Sequence, residues 1–289
     1  MTAKTFGLIG DPVAHSRSPV MHASAYRALG MPHTYQAHRV AAADVGAWVE
    51  RVRSGELDGL NVTVPHKEVV LAFADRIDES ARAVRAANTL VCEDGAVVAY
   101  NTDVPALAAE VSALAPELTR ADWAGATGII LGSGGTARSA VASLAMHLQL
   151  RRLIVRARAF SIDASCIQFR ASVADVLGLT ELCMEPLTQR TASEDDGVLA
   201  VVQATSAGMT GKDGGEVVAG AVSFSSLPVR AVALDVIYSP TRTQFIAAAQ
   251  HAGIRAGNGL GMLARQGALS FEIWLGVPAP YNAMLSALV

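Results

Sequence analysis

The sequence predicts an α/β protein of two domains with a cleft between them, on the basis of three features. Apolar strand patterns alternate with helical patterns along the chain, which is typical of mostly parallel sheets. A glycine-rich loop at residues 132–135 follows an apolar strand and precedes a helical pattern, as in dinucleotide-binding units. The length of 289 residues suits two domains at roughly 150 residues each.

The first domain is predicted to comprise residues 1–103 together with residues 241–289, which return to it as helices. Asp94-Gly95 between two apolar runs indicates a tight antiparallel hairpin. The predicted elements before residue 104 are strand 5–9, helix 18–29, strand 33–39, helix 42–54, strand 59–64, helix 65–73 and the hairpin strands 87–92 and 96–100.

The second domain is predicted to comprise residues 104–240 and to be a Rossmann-type unit. Pro105 opens a helix that runs to about residue 114, because proline suits the first helical turn. Four apolar runs are typical of strands in a buried parallel sheet. They cover residues 126–131, 152–156, 197–203 and 231–237.

Composition and charge exclude several classes of protein. Hydrophobic residues make up 51% and charged residues 17% of the chain, which is typical of a globular protein and not of a disordered one. The net charge of −3 gives no sign of a basic face for nucleic acid. No run of about 18 apolar residues occurs, so no membrane span is predicted.

The expected location is the cytoplasm, and no metal site is predicted. No targeting segment precedes the first strand, and the three cysteines show no CxxC spacing, which suits a reducing compartment. The seven histidines show no H-x-x-H or H-E-x-x-H spacing. A G-x-S-x-G motif does not occur, so a hydrolase triad has no support.

The glycine-rich loop matches the G-x-G-x-x-G/A pattern with Gly132, Gly134 and Ala137. The first glycine permits a tight turn, and the second lets the backbone approach a pyrophosphate at a helix N-terminus. The alternative is a glycine turn without a ligand, but the strand-loop-helix context favours nucleotide binding. The remaining loop positions are Ser133, Gly135 and Thr136.

Two arginines after the next strand favour NADP over NAD. Arg156 ends that strand and Arg158 follows it, where an NAD site would carry an acidic residue for the ribose hydroxyls. A guanidinium group suits a 2′-phosphate through its charge and its paired donors. The alternative is that both are solvated charges at a strand end.

The strand at residues 59–64 carries polar residues at alternate positions. Asn61 and Thr63 share one side and need hydrogen-bond partners if they are buried, which a polar ligand would supply. The alternative is a half-exposed strand with a solvated face. Lys67 follows near the carboxyl end of the strand, where open α/β sheets place their ligands.

Other polar residues of the first domain have local alternatives. Ser16 and Ser18 project together if their segment is extended and could donate to a carboxylate. Alternatively, Ser18 only caps the following helix. Asp103 could be only the N-cap of the helix that contains Pro105, and Asn88 could be only a turn former.

Taken in order, these motifs resemble the shikimate dehydrogenase family, and the match runs over nearly the whole chain. Each fragment alone would be weak, but the ordered set is specific. The matching stretches are residues 10–19, 60–67, 87–89 and 101–103, the loop at Gly132, residues 204–209 and 235–238, and residues 259–263 leading to Gln266.

The resemblance implies reversible NADPH-dependent reduction of 3-dehydroshikimate to shikimate, a step toward chorismate and the aromatic amino acids. It implies that Lys67 and Asp103 form the catalytic pair. Lys67 either moves a proton on and off a ring oxygen, or stabilises negative charge there while Asp103 orients the hydroxyl.

The resemblance also implies the binding residues. Ser16 and Ser18 would hold the substrate carboxylate. The ring hydroxyls would be bound by Asn61, Thr63, Asn88 and Gln266, with Tyr238 nearby. NADP would be held by the loop of Gly132, Ser133, Gly134, Gly135, Thr136 and Ala137, by Arg156 or Arg158, and by Thr205, Ser206, Met209, Val236 and Gly259.

Some positions depart from the family pattern and leave alternatives open. Gln203 stands where Asn is usual, and Arg156-Ala157-Arg158 replaces an Asn-Arg-Thr ending. Which arginine takes the family role is open, with Arg156 preferred. The alternative functions are a quinate or aminoshikimate dehydrogenase and a catalytically silent binding or regulatory relative. The family permits both a monomer and a homodimer.

Overall fold

The computed structural model describes residues 2–190, 195 and 197–289. The chain divides into two units: Met1–Ala106 with Leu263–Val289, and Leu107–Met262. Each unit holds a six-stranded sheet of its own. The predicted α/β class with two sheet domains is therefore confirmed.

The sheet of the first unit is mixed. Its strands are β1 (Thr5–Gly10), β2 (Thr34–Arg39), β3 (Gly59–Val62), β4 (Arg76–Ile77), β5 (Thr89–Glu93) and β6 (Ala96–Tyr100), in the order β2-β1-β3-β5-β6-β4. β1 pairs parallel with β2 and β3, whereas β5 pairs antiparallel with β3 and with β6. Because β3 is an interior strand, all four of its residues are buried.

The sheet of the second unit is entirely parallel, as expected for a Rossmann-type unit. Its strands are β7 (Thr127–Leu131), β8 (Arg152–Ala157), β9 (Glu181–Pro186), β10 (Val198–Gln203), β11 (Val232–Asp235) and β12 (Arg255–Gly257), in the order β12-β11-β10-β7-β8-β9. The central strands supply a buried apolar core that includes Ile129, Val201 and Ala233.

The helices follow the predicted alternation with the strands. They are α1 (Ser18–Ala28), α2 (Val45–Arg53), α3 (Glu79–Val84), α4 (Asp103–Leu114), α5 (Arg120–Ala124), α6 (Gly135–Ala142), α7 (Asp163–Val173), α8 (Gly215–Gly220), α9 (Gln244–His251), α10 (Gly259–Leu275) and α11 (Tyr281–Ser286). In the described part of the chain, no helix has both the length and the apolar character of a membrane span.

Helix α10 is fixed on the first sheet by Trp274. The indole Nε1 donates to the Leu90 carbonyl at 3.0 Å, and the indole stacks on Phe6 with ring centroids 4.8 Å apart. Gly59 provides the space, because a Cβ at this position would lie 2.3 Å from the indole nitrogen. This docking sets the position of the polar residues on the same face of α10.

The structure corrects the predicted domain boundary at residue 240. β12 pairs with β11, and Phe245 and Ile246 of α9 enter the core of the second unit. Residues 241–262 therefore belong to the second unit, and only the residues from Leu263 onward return to the first. β12 has three residues, which is too short for an alternating pattern to stand out in the sequence.

The predicted helix at residues 65–73 is also corrected. The chain forms a turn after β3, in which the His66 amide donates to the Thr63 carbonyl, and then a short 3-10 helix at Val69–Phe73. Lys67 therefore lies in a turn at the carboxyl end of β3 and not within a helix.

Candidate active site

Lys67 and Asp103 form an ion pair, with Lys67 Nζ donating to Asp103 Oδ2 at 2.6 Å. The Lys67 side chain is 28% exposed and that of Asp103 is 13% exposed, so the pair is partly shielded and still reachable from solvent. The two residues are 36 positions apart in the sequence. The fold thus brings together the two residues that were predicted to act as a pair.

Asp103 is not the cap of its helix. The Asn101 side chain takes that role, because its Oδ1 accepts from the backbone amides of Asp103 and Val104 at 3.0 and 3.2 Å. The carboxylate of Asp103, at the first position of α4, is consequently left for Lys67 and Asn88. The alternative of a simple N-cap is excluded by this geometry.

Asn88 is the second donor to Asp103. Its Nδ2 donates to Asp103 Oδ1 at 3.0 Å, so each carboxylate oxygen has its own donor. The backbone amide of Thr102 donates to Asn88 Oδ1 at 2.8 Å, which fixes the orientation of the side-chain amide. Gln266 Oε1 lies 3.5 Å from Asn88 Nδ2, which brings α10 to the same place.

Ser16 and Ser18 lie together, but through a turn: Arg17 between them is helical (φ −90°, ψ −1°), whereas the prediction assumed an extended segment. Ser16 Oγ donates to Ser18 Oγ at 3.2 Å and also accepts from the Ser18 amide. α1 starts at Ser18, with Arg17 at the cap position, and the Arg17 side chain makes no capping hydrogen bond. The alternative that Ser18 serves as the helix cap therefore does not hold.

The structure corrects the expected role of Asn61. Only 5% of this residue is exposed. Its amide nitrogen, which carries two hydrogens, lies 2.9–3.1 Å from three acceptors, the Asn88 carbonyl oxygen, Thr89 Oγ1 and Ser270 Oγ, and its oxygen accepts from the Tyr35 hydroxyl at 2.8 Å. These protein groups, and not a ligand, satisfy the polar atoms of Asn61.

Thr63, the other polar residue of that segment, is half-buried and follows β3. Its methyl group occupies the space beside Gly10, where a Cβ would lie 2.4 Å away. Tyr238, the remaining predicted substrate residue, is half-buried and lies in the second unit.

The glycine-rich loop has the geometry that a pyrophosphate site requires. Gly132 has φ +121°, and a Cβ there would lie 3.0 Å from Thr205 Cγ2. The cap position of α6 is Gly134, which has no side chain to cap the helix, and a Cβ there would meet nothing within 4 Å. Gly135 and Thr136 are exposed, whereas Ala137 is buried where the helix packs on the sheet. The loop therefore fits a dinucleotide.

Arg156 does not fit the phosphate role that was preferred for it. The residue is 1% exposed, and its guanidinium forms a paired contact with Asp195 at 2.5 and 3.1 Å. Its remaining donors reach Glu185 Oε2 at 3.0 Å and the Ala221 carbonyl at 2.9 Å. Burial favours the neutral acid at Asp195, but the bonds from Arg156 hold the pKa of this carboxyl below its usual range.

Arg158 is left as the arginine that a nucleotide can reach. It is exposed directly after β8, at the carboxyl edge of the second sheet. β8 is the neighbour of β7, whose carboxyl end leads into the glycine-rich loop. Of the two arginines that the sequence left open, Arg158 is therefore the one whose side chain is accessible.

Gln203 organises the loop that follows β10. Its buried amide nitrogen donates to the carbonyls of Thr205 and Ala207 at 3.3 and 3.2 Å, while its oxygen accepts from the Thr205 amide. Ser206 and Met209 of this loop are exposed. A glutamine at this position thus holds the loop backbone, although the family pattern has an asparagine.

Val236 and Gly259 lie against each other. A Cβ on Gly259 would come within 2.1 Å of the Val236 carbonyl oxygen, so α10 begins in direct backbone contact with the segment after β11. The Gly259 amide also donates to the Ile237 carbonyl at 3.0 Å. Gly259 is buried, so close packing accounts for the glycine.

Asp235 is fully buried at the end of β11 and holds the same segment. It accepts from Thr243 Oγ1 at 2.6 Å and from the Ile237 amide at 2.9 Å. Burial raises the pKa of Asp235 from 3.8 to about 6, although both hydrogen bonds favour the ionised form.

The raised pKa of Asp235 predicts a pH-dependent stability. The folded state binds the proton more tightly than the unfolded state, so this group stabilises the fold below about pH 4 and the effect is lost as pH rises through 6. The free energy of unfolding of the wild type should lose about 3 kcal/mol over this range relative to Asp235→Asn. Urea unfolding of both proteins from pH 4 to 7 measures it, and parallel curves would contradict the prediction.

Four residues that support the site were not predicted. Tyr35, Thr89, Thr102 and Ser270 are buried and hydrogen-bonded to Asn61 or Asn88. Their position as polar residues within apolar runs was the available signal. It was not sufficient, because their hydrogen-bond partners lie on other elements. Among the described residues, no group of three or more His, Cys, Asp or Glu side chains could hold a metal ion.

The mixed sheet with a Lys–Asp pair and the parallel sheet with an open glycine-rich loop are together typical of nucleotide-dependent dehydrogenases. Residues 8–90 match the family model of the shikimate dehydrogenase substrate-binding domain, and residues 259–289 match that of the shikimate 5′-dehydrogenase C-terminal domain. The shikimate dehydrogenase (NADP⁺) of Citrifermentans bemidjiense is 38% identical over 99% of this chain and 94% of its own length. The chain belongs to the shikimate dehydrogenase family.

Two solved structures share this fold over nearly the whole chain. The shikimate 5-dehydrogenase of Thermus thermophilus in complex with NADP(H) and shikimate is 27% identical, with a TM-score of 0.79 over 99% of this chain and 98% of that one. The ligand-free 5-ketofructose reductase of a Gluconobacter strain is also 27% identical, with a TM-score of 0.85 over 99% of this chain and 98% of that one.

Proposed function

We propose that the protein is an NADP-dependent shikimate dehydrogenase that reduces 3-dehydroshikimate to shikimate reversibly. The observation that carries this proposal is the Lys67–Asp103 pair at 2.6 Å, with Asn88 on the second carboxylate oxygen. It combines a cation, a carboxylate and an amide, which together can bind and protonate one oxygen of a small hydroxylated ring. Relatives named shikimate dehydrogenase (NADP⁺) match over the whole chain, which supports this substrate.

Each end of the substrate has candidate partners. The hydroxyls of Ser16 and Ser18 are adjacent and suit a carboxylate, because each can donate one hydrogen bond. Asn88, Gln266 and Thr63 supply amide and hydroxyl groups for the ring oxygens. Asn61 does not bind the ring in this proposal; its side-chain amide donates to the backbone carbonyl of Asn88 and holds Asn88 in place.

Lys67 and Asp103 handle the proton. In the reducing direction, the Lys67 ammonium donates to the oxygen on which negative charge develops, and Asp103 holds that oxygen and the ammonium at hydrogen-bond distance. In the oxidising direction, the same pair takes the hydroxyl proton. When bound, the nicotinamide nucleotide supplies or takes the hydride.

The second unit holds the nucleotide. The loop at Gly132 and the start of α6, with glycine at its cap position, suit the pyrophosphate. Thr205, Ser206 and Met209 follow β10 at the same sheet edge and form a candidate nicotinamide contact. Arg158 is the candidate for the 2′-phosphate.

Arg158→Ala should remove most of the preference for NADP⁺. A charge-assisted contact with the 2′-phosphate is worth about 1.5–3 kcal/mol, so the KM for NADP⁺ should rise roughly ten- to hundredfold. The KM for NAD⁺ should stay the same, because NAD⁺ lacks this phosphate. Arg151→Ala, an exposed arginine just before the same strand, is the matched control. An unchanged NADP⁺ preference in Arg158→Ala would contradict the assignment.

Initial rates with shikimate and with quinate, each with NADP⁺ and NAD⁺, test the proposed function. We expect a large preference for shikimate with NADP⁺. A higher rate with quinate would mean that quinate is the substrate. A higher rate with NAD⁺ would mean that NAD⁺ is the cofactor. No turnover in any combination would favour a silent relative.

We also propose a cytoplasmic location, since three free thiols suit a reducing compartment.

A further inference from the structure

The turn that carries Lys67 buries a histidine and exposes its valines. Val64 and Val69 are 62% and 44% exposed, whereas His66 between them is 1% exposed. A valine side chain costs less to bury than an imidazole, whose ring nitrogens lose their contacts with water. The burial of His66 therefore has a reason other than its apolar surface.

The His66 ring is hydrogen-bonded to the backbone directly after β2. Its Nε2 lies 2.7 Å from the Val40 carbonyl oxygen, and because a carbonyl only accepts, the hydrogen lies on Nε2. Nδ1 is then the unprotonated nitrogen, and it is buried without a hydrogen-bond partner among the described residues. The bond to Val40 thus fixes both the tautomer and the orientation of the ring.

This bond joins the turn after β3 to the end of β2. β1 lies between these two strands in the sheet, and the Val40 amide donates to the Gly10 carbonyl at the end of β1 at 3.1 Å. The Asp11 amide donates to the Val64 carbonyl at 3.0 Å and joins the same turn to β1. The carboxyl ends of three neighbouring strands are therefore held together beside Lys67.

Lys67 directly follows His66, so its backbone shares this support. Its carbonyl accepts from the Ala87 amide at 2.8 Å, which joins the turn to the residue before Asn88. The Lys67 side chain then reaches Asp103 on α4, an element apart from the turn, at 2.6 Å. The position of the turn consequently determines where the ammonium lies relative to the carboxylate.

We propose that His66 is a positioning residue for Lys67, because its hydrogen bond to Val40 fixes the turn that places the ammonium beside Asp103. The inference rests on the proposed function, in which Lys67 moves a proton to and from the substrate. A displacement of a reacting group by about 1 Å can lower a rate roughly a hundredfold. A histidine that only filled space would need no N–H at this position.

His66→Met and His66→Gln test the proposal as a pair, since both side chains are unbranched and of similar length. The glutamine amide nitrogen is as many bonds from Cα as histidine Nε2 and can donate to the Val40 carbonyl, whereas methionine has no donor. We expect His66→Met to lower kcat roughly ten- to hundredfold, with the KM for shikimate changed by less than about threefold. His66→Gln should restore kcat to within about threefold of the wild type.

Three results of this comparison would overturn the proposal. They are equal losses of kcat in the two variants, a wild-type kcat in His66→Met, and a loss that lies in the KM for shikimate. Thermal unfolding shows whether each variant is folded at the assay temperature. If His66→Met is not folded, His66→Gln decides, because a folded His66→Gln with kcat lowered more than about tenfold would also overturn the proposal.

His33→Met is the matched control. His33 is 9% exposed, and its Nδ1 accepts from the Lys4 amide at 3.1 Å. It precedes β2 and thus lies at the edge of the sheet opposite to Lys67. His33→Met should lower the midpoint of thermal unfolding but leave kcat within about twofold of the wild type. Equal losses of kcat in His33→Met and His66→Met would show a general packing effect and overturn the proposal.

A double-mutant cycle with Lys67→Ala tests whether His66 acts through Lys67. His66→Met should lower kcat at least about threefold less in the Lys67→Ala background than in the wild type, because no ammonium is left to be placed. The same loss in both backgrounds would overturn the proposal.

The failure of the proposed function would look different. A wild type that turns over quinate and not shikimate would overturn the proposed substrate alone, and the same variants assayed with quinate would still decide the role of His66. A wild type that turns over neither substrate would overturn both, because Lys67 would then have no proton to move.

Discussion

Lys67→Ala is expected to lower kcat roughly a hundred- to ten-thousandfold, the range for loss of a group that moves a proton in the transition state. The KM for shikimate should change by less than about fivefold, because the ring is held mainly by other residues. The fold should persist, since the Lys67 side chain is 28% exposed and its removal leaves no deeply buried partner. Steady-state kinetics with shikimate and NADP⁺ measure both constants.

Lys67→Arg distinguishes the two roles open to this lysine. Arginine keeps the positive charge beside Asp103 but does not give up its proton. If Lys67 moves the proton, the arginine variant should lose about as much activity as Lys67→Ala. If the charge alone stabilises the oxygen, the arginine variant should retain a large part of kcat. A Lys67→Ala variant with near-normal kcat would contradict both.

Arg156→Met is expected to destabilise the protein by about 3–5 kcal/mol, because it leaves a buried carboxylate without its cation. The Asp195 side chain is 0% exposed, and among the described residues it would keep only the backbone donor of Ser223, at 2.7 Å. Chemical denaturation of the two proteins measures the difference. Arg158→Ala, an exposed arginine two positions further on, should leave the free energy of unfolding nearly unchanged.

The same pair of variants separates structure from cofactor binding. If Arg156 bound the 2′-phosphate, Arg156→Met would raise the KM for NADP⁺ and leave stability intact. The structure predicts a loss of stability instead, because the guanidinium already donates its hydrogen bonds to Asp195, Glu185 and the Ala221 carbonyl. A stable Arg156→Met protein with weak NADP⁺ binding would contradict this account.

Arg156→Met combined with Asp195→Leu should recover part of the lost stability, since no charge is then left buried.

Local patterns in the sequence were sufficient for most of the fold. Strand-helix alternation located both sheets, and Asp94-Gly95 located the hairpin of β5 and β6, which is antiparallel as predicted. Ser16 and Ser18 are also adjacent, although a turn at Arg17 brings them together and not the extended segment that the prediction assumed. In these cases the determining interactions lie within a few residues of one another.

The errors arose where the determining partner is distant in the sequence. Arg156 and Asp195 are 39 residues apart, so nothing near Arg156 indicated that it would be buried and paired. Asn61 and Ser270 are 209 residues apart, and the position of α10 over β3 decides that Asn61 contacts protein groups and not a ligand. Tyr35 was missed because its partner Asn61 is 26 residues away, and because a tyrosine in a strand is ordinarily a core residue.

The reduction of 3-dehydroshikimate by NADPH, with the product identified by chromatography, tests the central claim most directly. The account predicts that the wild type consumes NADPH and forms shikimate, and that Lys67→Ala forms it far more slowly. Absence of NADPH consumption by the wild type, or formation of a product other than shikimate, would contradict the account.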